Sequence, residues 1–156
     1  MDIGTSIKFD SRFEPTFTLG YAFDDGDFRQ TGLDDNNNRF NGVNRFRYYG
    51  ELARPELANI RITTLAFGLR FFDKSSLELI HHTYRQKNAS REHSLRIDAD
   101  SNGLSTSLGT ELDIVAGFRE WTHWDFEIGG SYFSPGSAFT SNDPAWLMEL
   151  EVSYNY

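Results

Sequence analysis

The sequence predicts an all-β chain, a transmembrane antiparallel up-and-down β-barrel contributing seven or eight strands, and three observations carry the prediction. The final eleven residues alternate strictly, with Trp146, Met148, Leu150, Val152, Tyr154 and Tyr156 at even positions and Glu149, Glu151, Ser153 and Asn155 among the odd ones. Strand side chains point to opposite faces in turn, and roughly 9–11 residues cross a bilayer as a tilted strand. The same two-faced pattern recurs upstream, and the charged residues keep to one phase of it. No apolar run approaches the ~20 residues of a spanning helix, and mean hydropathy is −0.53. A barrel needs no such run, because only alternate residues meet lipid.

In chain order, Ile3, Ile7 and Phe9 oppose Gly4, Ser6, Lys8 and Asp10, and Phe17, Leu19, Tyr21 and Phe23 oppose Thr18, Gly20 and Ala22. From Arg45 to Leu52, Phe46 and Tyr48 alternate with Arg45, Arg47, Tyr49 and Glu51. From Ile60 to Phe72, Leu65, Phe67, Leu69 and Phe71 face away from Thr64, Ala66, Gly68 and Arg70. Leu77 to Gln86 sets Leu77 and Leu79 against Glu78, Ile80, His82 and Tyr84. Leu108 to Arg119 sets Leu108, Leu112, Ile114, Ala116 and Phe118 against Glu111, Asp113, Val115, Gly117 and Arg119. Trp124 to Phe133 sets Trp124, Phe126, Ile128, Gly130 and Tyr132 against Asp125, Glu127, Gly129 and Ser131.

Barrels of the outer membrane have short periplasmic turns and longer external loops. Short turns fall near Ser11, Lys74 and Thr122, and long connections at Lys87–Ser107 and Ser134–Pro144. The alternation holds if Asp24 to Ala58 is one excursion, so a single barrel domain over residues 1–156 is expected, with long external loops about 25–58 and 87–107. Arg45–Leu52 then lies above the bilayer or folds into the loop mouth, leaving seven spanning strands. An odd count implies part of a larger barrel, because bacterial single-chain barrels have even numbers. If Arg45–Leu52 crosses instead, eight strands close alone around an interior filled by side chains, a structural or adhesion module of the membrane. A soluble β-sandwich is the remaining alternative.

Twenty-three acidic residues against 15 basic ones give a net charge of −8, which argues against nucleic-acid partners bound through counterion release. The absence of cysteine removes disulfides, thiolate chemistry and Cys-type zinc sites. Met1-Asp2-Ile3-Gly4 has neither the basic region nor the apolar core of a signal peptide, so an exported chain of this kind is expected as a mature form. Aromatics make up 15%, which suits strands and interfacial girdles. Trp121, Trp124, Phe71, Phe72, Phe13, Tyr154 and Tyr156 fall near the short-turn end, and Tyr21, Phe23, Tyr132 and Trp146 toward the long loops. The aromatic end of the chain resembles the strand signal read by the barrel assembly machinery, an expected partner alongside outer-membrane lipid.

A charge at mid-membrane on a lipid face costs about 2–4 kcal/mol for Arg or Lys. Lys8, Arg70, Arg119, Glu78, Glu111, Asp113, Glu127 and Glu149 share the opposite phase, as do Asp10, Asp125 and Glu151. They are the candidate lumen and solute path, with an internal salt-bridge network as the alternative. Asp98-Ala99-Asp100-Ser101-Asn102-Gly103 matches the first half of a calcium loop. Asp98, Asp100 and Asn102 are its candidate ligands, but Gly109 stands where a bidentate Glu is expected, and a solvated turn is the alternative. Asp34-Asp35-Asn36-Asn37-Asn38 is oxygen-rich without defined spacing. His81 and His82 are adjacent on a strand, so they point to opposite faces and do not chelate together. No nucleophile elbow is present and no carboxylate pair stands out, so an enzyme is not expected, nor any cofactor beyond calcium in an external loop.

Several segments taken in order resemble the alginate export family of outer-membrane porins. They are Phe28-Arg29-Gln30-Thr31-Gly32-Leu33, Arg39-Phe40-Asn41-Gly42-Val43, Phe46-Arg47-Tyr48-Tyr49-Gly50-Glu51, Pro55-Glu56-Leu57-Ala58-Asn59, His82-Thr83-Tyr84-Arg85-Gln86 and the Asp98–Gly103 turn. Glu111-Leu112-Asp113-Ile114, Pro135-Gly136 and the aromatic terminus complete the match. The resemblance implies a bacterial outer-membrane location and a barrel of about eighteen strands, wide enough for an aqueous lumen, passing an anionic polysaccharide through a basic constriction. It implies that this chain is the carboxy-terminal part of such a barrel or a shortened relative.

Overall fold

The computed structural model describes residues 1–24, 37–38, 42–44 and 46–156. Seven antiparallel strands form one sheet, each paired with its chain neighbours. They are β1 (Asp2–Lys8), β2 (Thr16–Phe23), β5 (Ile60–Phe71), β6 (Ser75–Gln86), β7 (Ser107–Phe118), β8 (Trp124–Pro135) and β9 (Ala145–Tyr154). The two-residue strands β3 (Asn37–Asn38) and β4 (Phe46–Arg47) pair separately. The expected meander is present, but β1 and β9 do not pair with each other, so the sheet is open.

The short turns lie at one end. Glu14, Phe72 and His123 each adopt positive φ there, at 42°, 54° and 71°, the left-handed step by which a tight connection reverses the chain. Aromatic rings gather beside these turns: Phe72 packs edge-on to Phe118 at 6.4 Å, Phe118 on Trp121 at 5.5 Å, and Trp124 on Tyr154 at 5.0 Å.

The period-2 pattern sorts the faces much as the sequence predicts. Leu19, Leu65, Leu79, Ile114, Ile128 and Leu150 are exposed on the outer face, with Trp146, Met148 and Leu150 each at least 70% exposed. The inner face buries Glu78, His82, Glu111 and Asp113 to 1% exposure or less. Leu108 departs from its expected phase and is fully buried on the inner side. The cause is a register shift opposite Tyr84 and Arg85, at Gly109 with φ of 128°. One extra residue in a strand flips every side chain before it to the other face.

The apolar core lies inside the sheet at the long-loop end. Ile60, Ile62, Tyr84, Leu108 and Phe133 from the strands pack with Tyr49, Ala53, Leu95, Ala138 and Phe139 from the three long connections. Arg96 N–H donates to the Ala53 carbonyl at 2.7 Å and Glu56 N–H to the Ser94 carbonyl at 2.9 Å, joining two of those connections.

Candidate functional site

The described part of the β2–β5 connection folds against the inner face of the sheet. Among the described residues of Arg45–Leu52, only Phe46 and Arg47 are in a strand. The described residues of Gly42–Ala53 lie along the inner face of the sheet, Gly42–Asn44 toward the short-turn end and Leu52–Ala53 toward the long-loop end, and inward carboxylates hold them by their backbone. Gly42 N–H donates to Glu78 Oε1 at 3.0 Å and Val43 N–H to Ser76 Oγ at 2.9 Å. Arg119 donates to Asn44 Oδ1 at 3.1 Å. Farther along, Leu52 and Ala53 N–H donate to the two oxygens of Glu111 at 2.7 and 2.9 Å, and Tyr84 Oη donates to Glu111 Oε2 at 3.0 Å. Backbone amides of an irregular segment must find acceptors when buried, and ionised carboxylates are strong ones.

The segment reaches both edges of the sheet. Tyr49 Oη donates to Asp2 of β1 at 2.9 Å, and Arg54 lies 4.0 Å from Glu149 of β9. Tyr48 packs over Gly4 and Gly20, paired in β1 and β2, where Cβ atoms would stand in ordinary contact at 3.8 and 4.0 Å from its Oη. A Cβ at Gly117 would lie 2.5 Å from Asn44 Oδ1. Burial pushes the Tyr49 phenol above its ordinary pKa, with the Asp2 hydrogen bond adding to the effect. It also raises the Glu51 carboxyl, against the pull of Arg47.

The candidate lumen residues separate into three places. Glu78, Glu111 and Asp113 are buried behind the inner segment with His82, whose Nδ1 pairs with Thr64 Oγ1 at 2.9 Å and whose Nε2 lies 3.6 Å from Asp113 Oδ2. Lys8 and Arg70 sit at the short-turn end, where both approach Glu14, at 2.7 and 3.9 Å. Glu127 and Glu149 line an open cavity of about 470 Å³ with Glu51 and Glu151, and a second of about 250 Å³ joins Arg119, Asp125, Glu127 and Glu151. Sequence reasoning missed Ser76 and Tyr84, which act with the carboxylates on the segment, and Asn44 within it, which Arg119 holds. Gly117 on a polar face, where a Cβ would meet Asn44, was the available signal that something packs there.

His81 and His82 face opposite sides, His82 inward and His81 onto the apolar outer face. In the Asp98–Gly103 turn, Asn102 Oδ1 accepts Leu104 N–H at 2.8 Å and Asn102 Nδ2 donates to the Ser137 carbonyl at 2.8 Å. Among the described residues no group of three or more His, Asp or Glu side chains is placed to hold a metal. The segments Phe28–Leu33, Asp34–Asn36 and Arg39–Asn41, and Arg45 itself, lie outside the described residues.

The match of chain to family rests on the whole sheet. The family model described as alginate export matches residues 1–153. This chain belongs to the alginate export family. It is also 28% identical over 134 residues to the alginate production protein AlgE of Pseudomonas aeruginosa, an alignment covering 74% of this chain and 25% of that protein. The chain therefore spans about a quarter of that relative's length. The all-β antiparallel sheet accords with that membership.

Proposed function

We propose that this chain forms a sector of the wall of an alginate-export-type channel in the bacterial outer membrane, through which an anionic polysaccharide diffuses passively. The observation that carries the reading is the division of the sheet into an apolar exposed face and a face holding the ionisable side chains. In hydrocarbon an open sheet edge leaves backbone groups unsatisfied, so the unpaired edges of β1 and β9 call for further strands, whichever chain supplies them.

The inner sector is half filled. Gly42–Ala53 covers the β5–β7 part, while the β8–β9 part keeps open cavities lined by Glu51, Glu127, Glu149 and Glu151. Arg47, Arg54 and Arg119 stand near carboxylates or amides, so a polyanion meets paired charges here and not a bare basic surface. A path must attract its solute enough to admit it and weakly enough to release it. The carboxylates of β8 and β9 serve the second need, and the main basic constriction belongs to other parts of the assembled wall.

The test is single-channel recording in planar bilayers with the protein that carries this chain, adding oligomers of a polyuronate to one side. Conductance that the oligomer blocks in a concentration-dependent way is the expected result. A heat-modifiable, bilayer-inserted protein without conductance overturns transport and favours the second reading, a plugged structural module. The near-complete burial of Glu78, His82, Tyr84 and Glu111 under the inner segment speaks for that reading.

A further inference from the structure

Two arginines stand side by side on the outer face. Arg61 of β5 and Arg85 of β6 are directly paired in register, both are exposed, and among the described residues neither has a carboxylate within ion-pair distance. Like charges directly opposite on a sheet destabilise it, so the pair calls for an anion.

Its position says which anion. On the same face and the same strands the register descends from Arg61 and Arg85 through Thr63 and Thr83 to Leu65 and His81, then Phe67 and Leu79. The ten steps from Phe71 to Arg61 span about 33 Å along the strand, or about 25 Å along the normal at a tilt of ~40°, the height of a barrel's apolar band. With Phe71 and Phe72 at one boundary, the arginines stand at the other. Below them the outer face is hollowed by an apolar depression of about 510 Å³, lined by Ile7, Phe17, Leu19, Leu65, Leu79 and Leu112. Tyr21 and Phe23 of β2, paired with Thr63 and Arg61, flank the approach from depression to arginines.

We propose that Arg61, Arg85 and this depression form one binding site for a phosphate-bearing membrane lipid, the guanidiniums clasping the headgroup phosphate and the depression receiving an acyl chain. Guanidinium forks match phosphate oxygens in pairs and remain charged at any working pH. The occupant is a lipid and not free phosphate because the charge sits directly above an acyl-sized apolar surface. The inference rests on the outward face meeting a bilayer.

The experiment measures lipid binding to the detergent-solubilised full chain by native mass spectrometry. It uses diphosphorylated lipid A, the same lipid with its phosphates removed, and inorganic phosphate as a competitor. The wild-type chain is expected to retain the phosphorylated lipid in preference to the dephosphorylated one. Arg61→Gln with Arg85→Gln is expected to weaken retention by about tenfold or more, the scale of charge-assisted hydrogen bonds, with heat-modifiable migration unchanged because both side chains are exposed. Leu65→Ser, which leaves the arginines in place, is expected to weaken retention of both lipids. Equal retention by wild type and double variant overturns the proposal, as does displacement by millimolar inorganic phosphate, which would make this a free-anion site. A chain that stays monomeric in water without detergent refutes the membrane reading itself. An inserted chain with no preference for the phosphorylated lipid refutes only this site.

Discussion

Glu111 accepts the backbone N–H of Ala53 at 2.9 Å, so a side chain in the seventh strand holds a segment 58 residues earlier in the sequence. The same carboxylate takes Leu52 N–H and the Tyr84 hydroxyl. Three donors converge on one buried group; if it is removed, the Leu52 and Ala53 amides lose their acceptor, while Tyr84 keeps the Tyr49 carbonyl at 2.6 Å. Leaving a buried donor unsatisfied costs about 1–3 kcal/mol. Glu111→Ala is therefore expected to lose on the order of 3 kcal/mol or more of resistance to unfolding and to release Leu52 and Ala53. A lower midpoint in heat-modifiable migration, together with new protease cleavage near Ala53, checks it.

A single methyl group tests the closeness of that packing. Gly50 holds φ at 121°, and a Cβ there would run into Tyr84 Oη and lie 2.7 Å from Glu111 Oε2. Both the backbone and the space exclude a side chain. Gly50→Ala is expected to cost about 1–3 kcal/mol through backbone strain, with a further loss from disturbing the Glu111 bonds. A thermal midpoint equal to that of wild type would show that the segment is not packed in this way.

The outer face and strand order were legible because a period of two survives in any register: Ile114, Ile128 and Leu150 declare their side by alternation alone. Leu108 was misread because Gly109 shifts the register by one, and an apolar residue beside a bulge carries no mark of its side. The inner segment was illegible for a different reason. Its anchors are backbone amides of Gly42, Val43, Leu52 and Ala53, which any sequence supplies, and its acceptors Glu78 and Glu111 read equally well as luminal charges. Family strings located the region without giving its path.

Acid should loosen the short-turn end. Glu120 accepts the Ser75 hydroxyl and the Lys74 N–H, each at 2.7 Å, and these bonds hold its carboxyl below the ordinary 4.5. Glu14 is lowered in the same direction, first by its hydrogen bond from Lys8. A depressed folded pKa means the contribution is complete above the unfolded value and lost as pH falls through the folded one. Amide protection at Lys74 and Ser75 is expected to be constant above about pH 5 and to fall below 4.5. In Glu120→Gln that fall should be absent.

Neighbouring residues of one strand give the sharpest discrimination between the membrane reading and a soluble sheet. Leu150 is 70% exposed on the outer face of β9, while Glu149 faces the inner cavity with Glu51 and Glu127. If lipid covers the outer face, Leu150→Arg moves a charge into hydrocarbon and is expected to cost about 2–4 kcal/mol near mid-membrane. Glu149→Arg places the same charge among carboxylates in water and is expected to be nearly neutral. Both variants place the same side chain one position apart on one strand, so the larger cost marks the face that meets hydrocarbon. Reversible unfolding in lipid vesicles measures both. Equal, small effects at the two positions would mean that water bathes both sides of β9, and the channel wall would have to be abandoned.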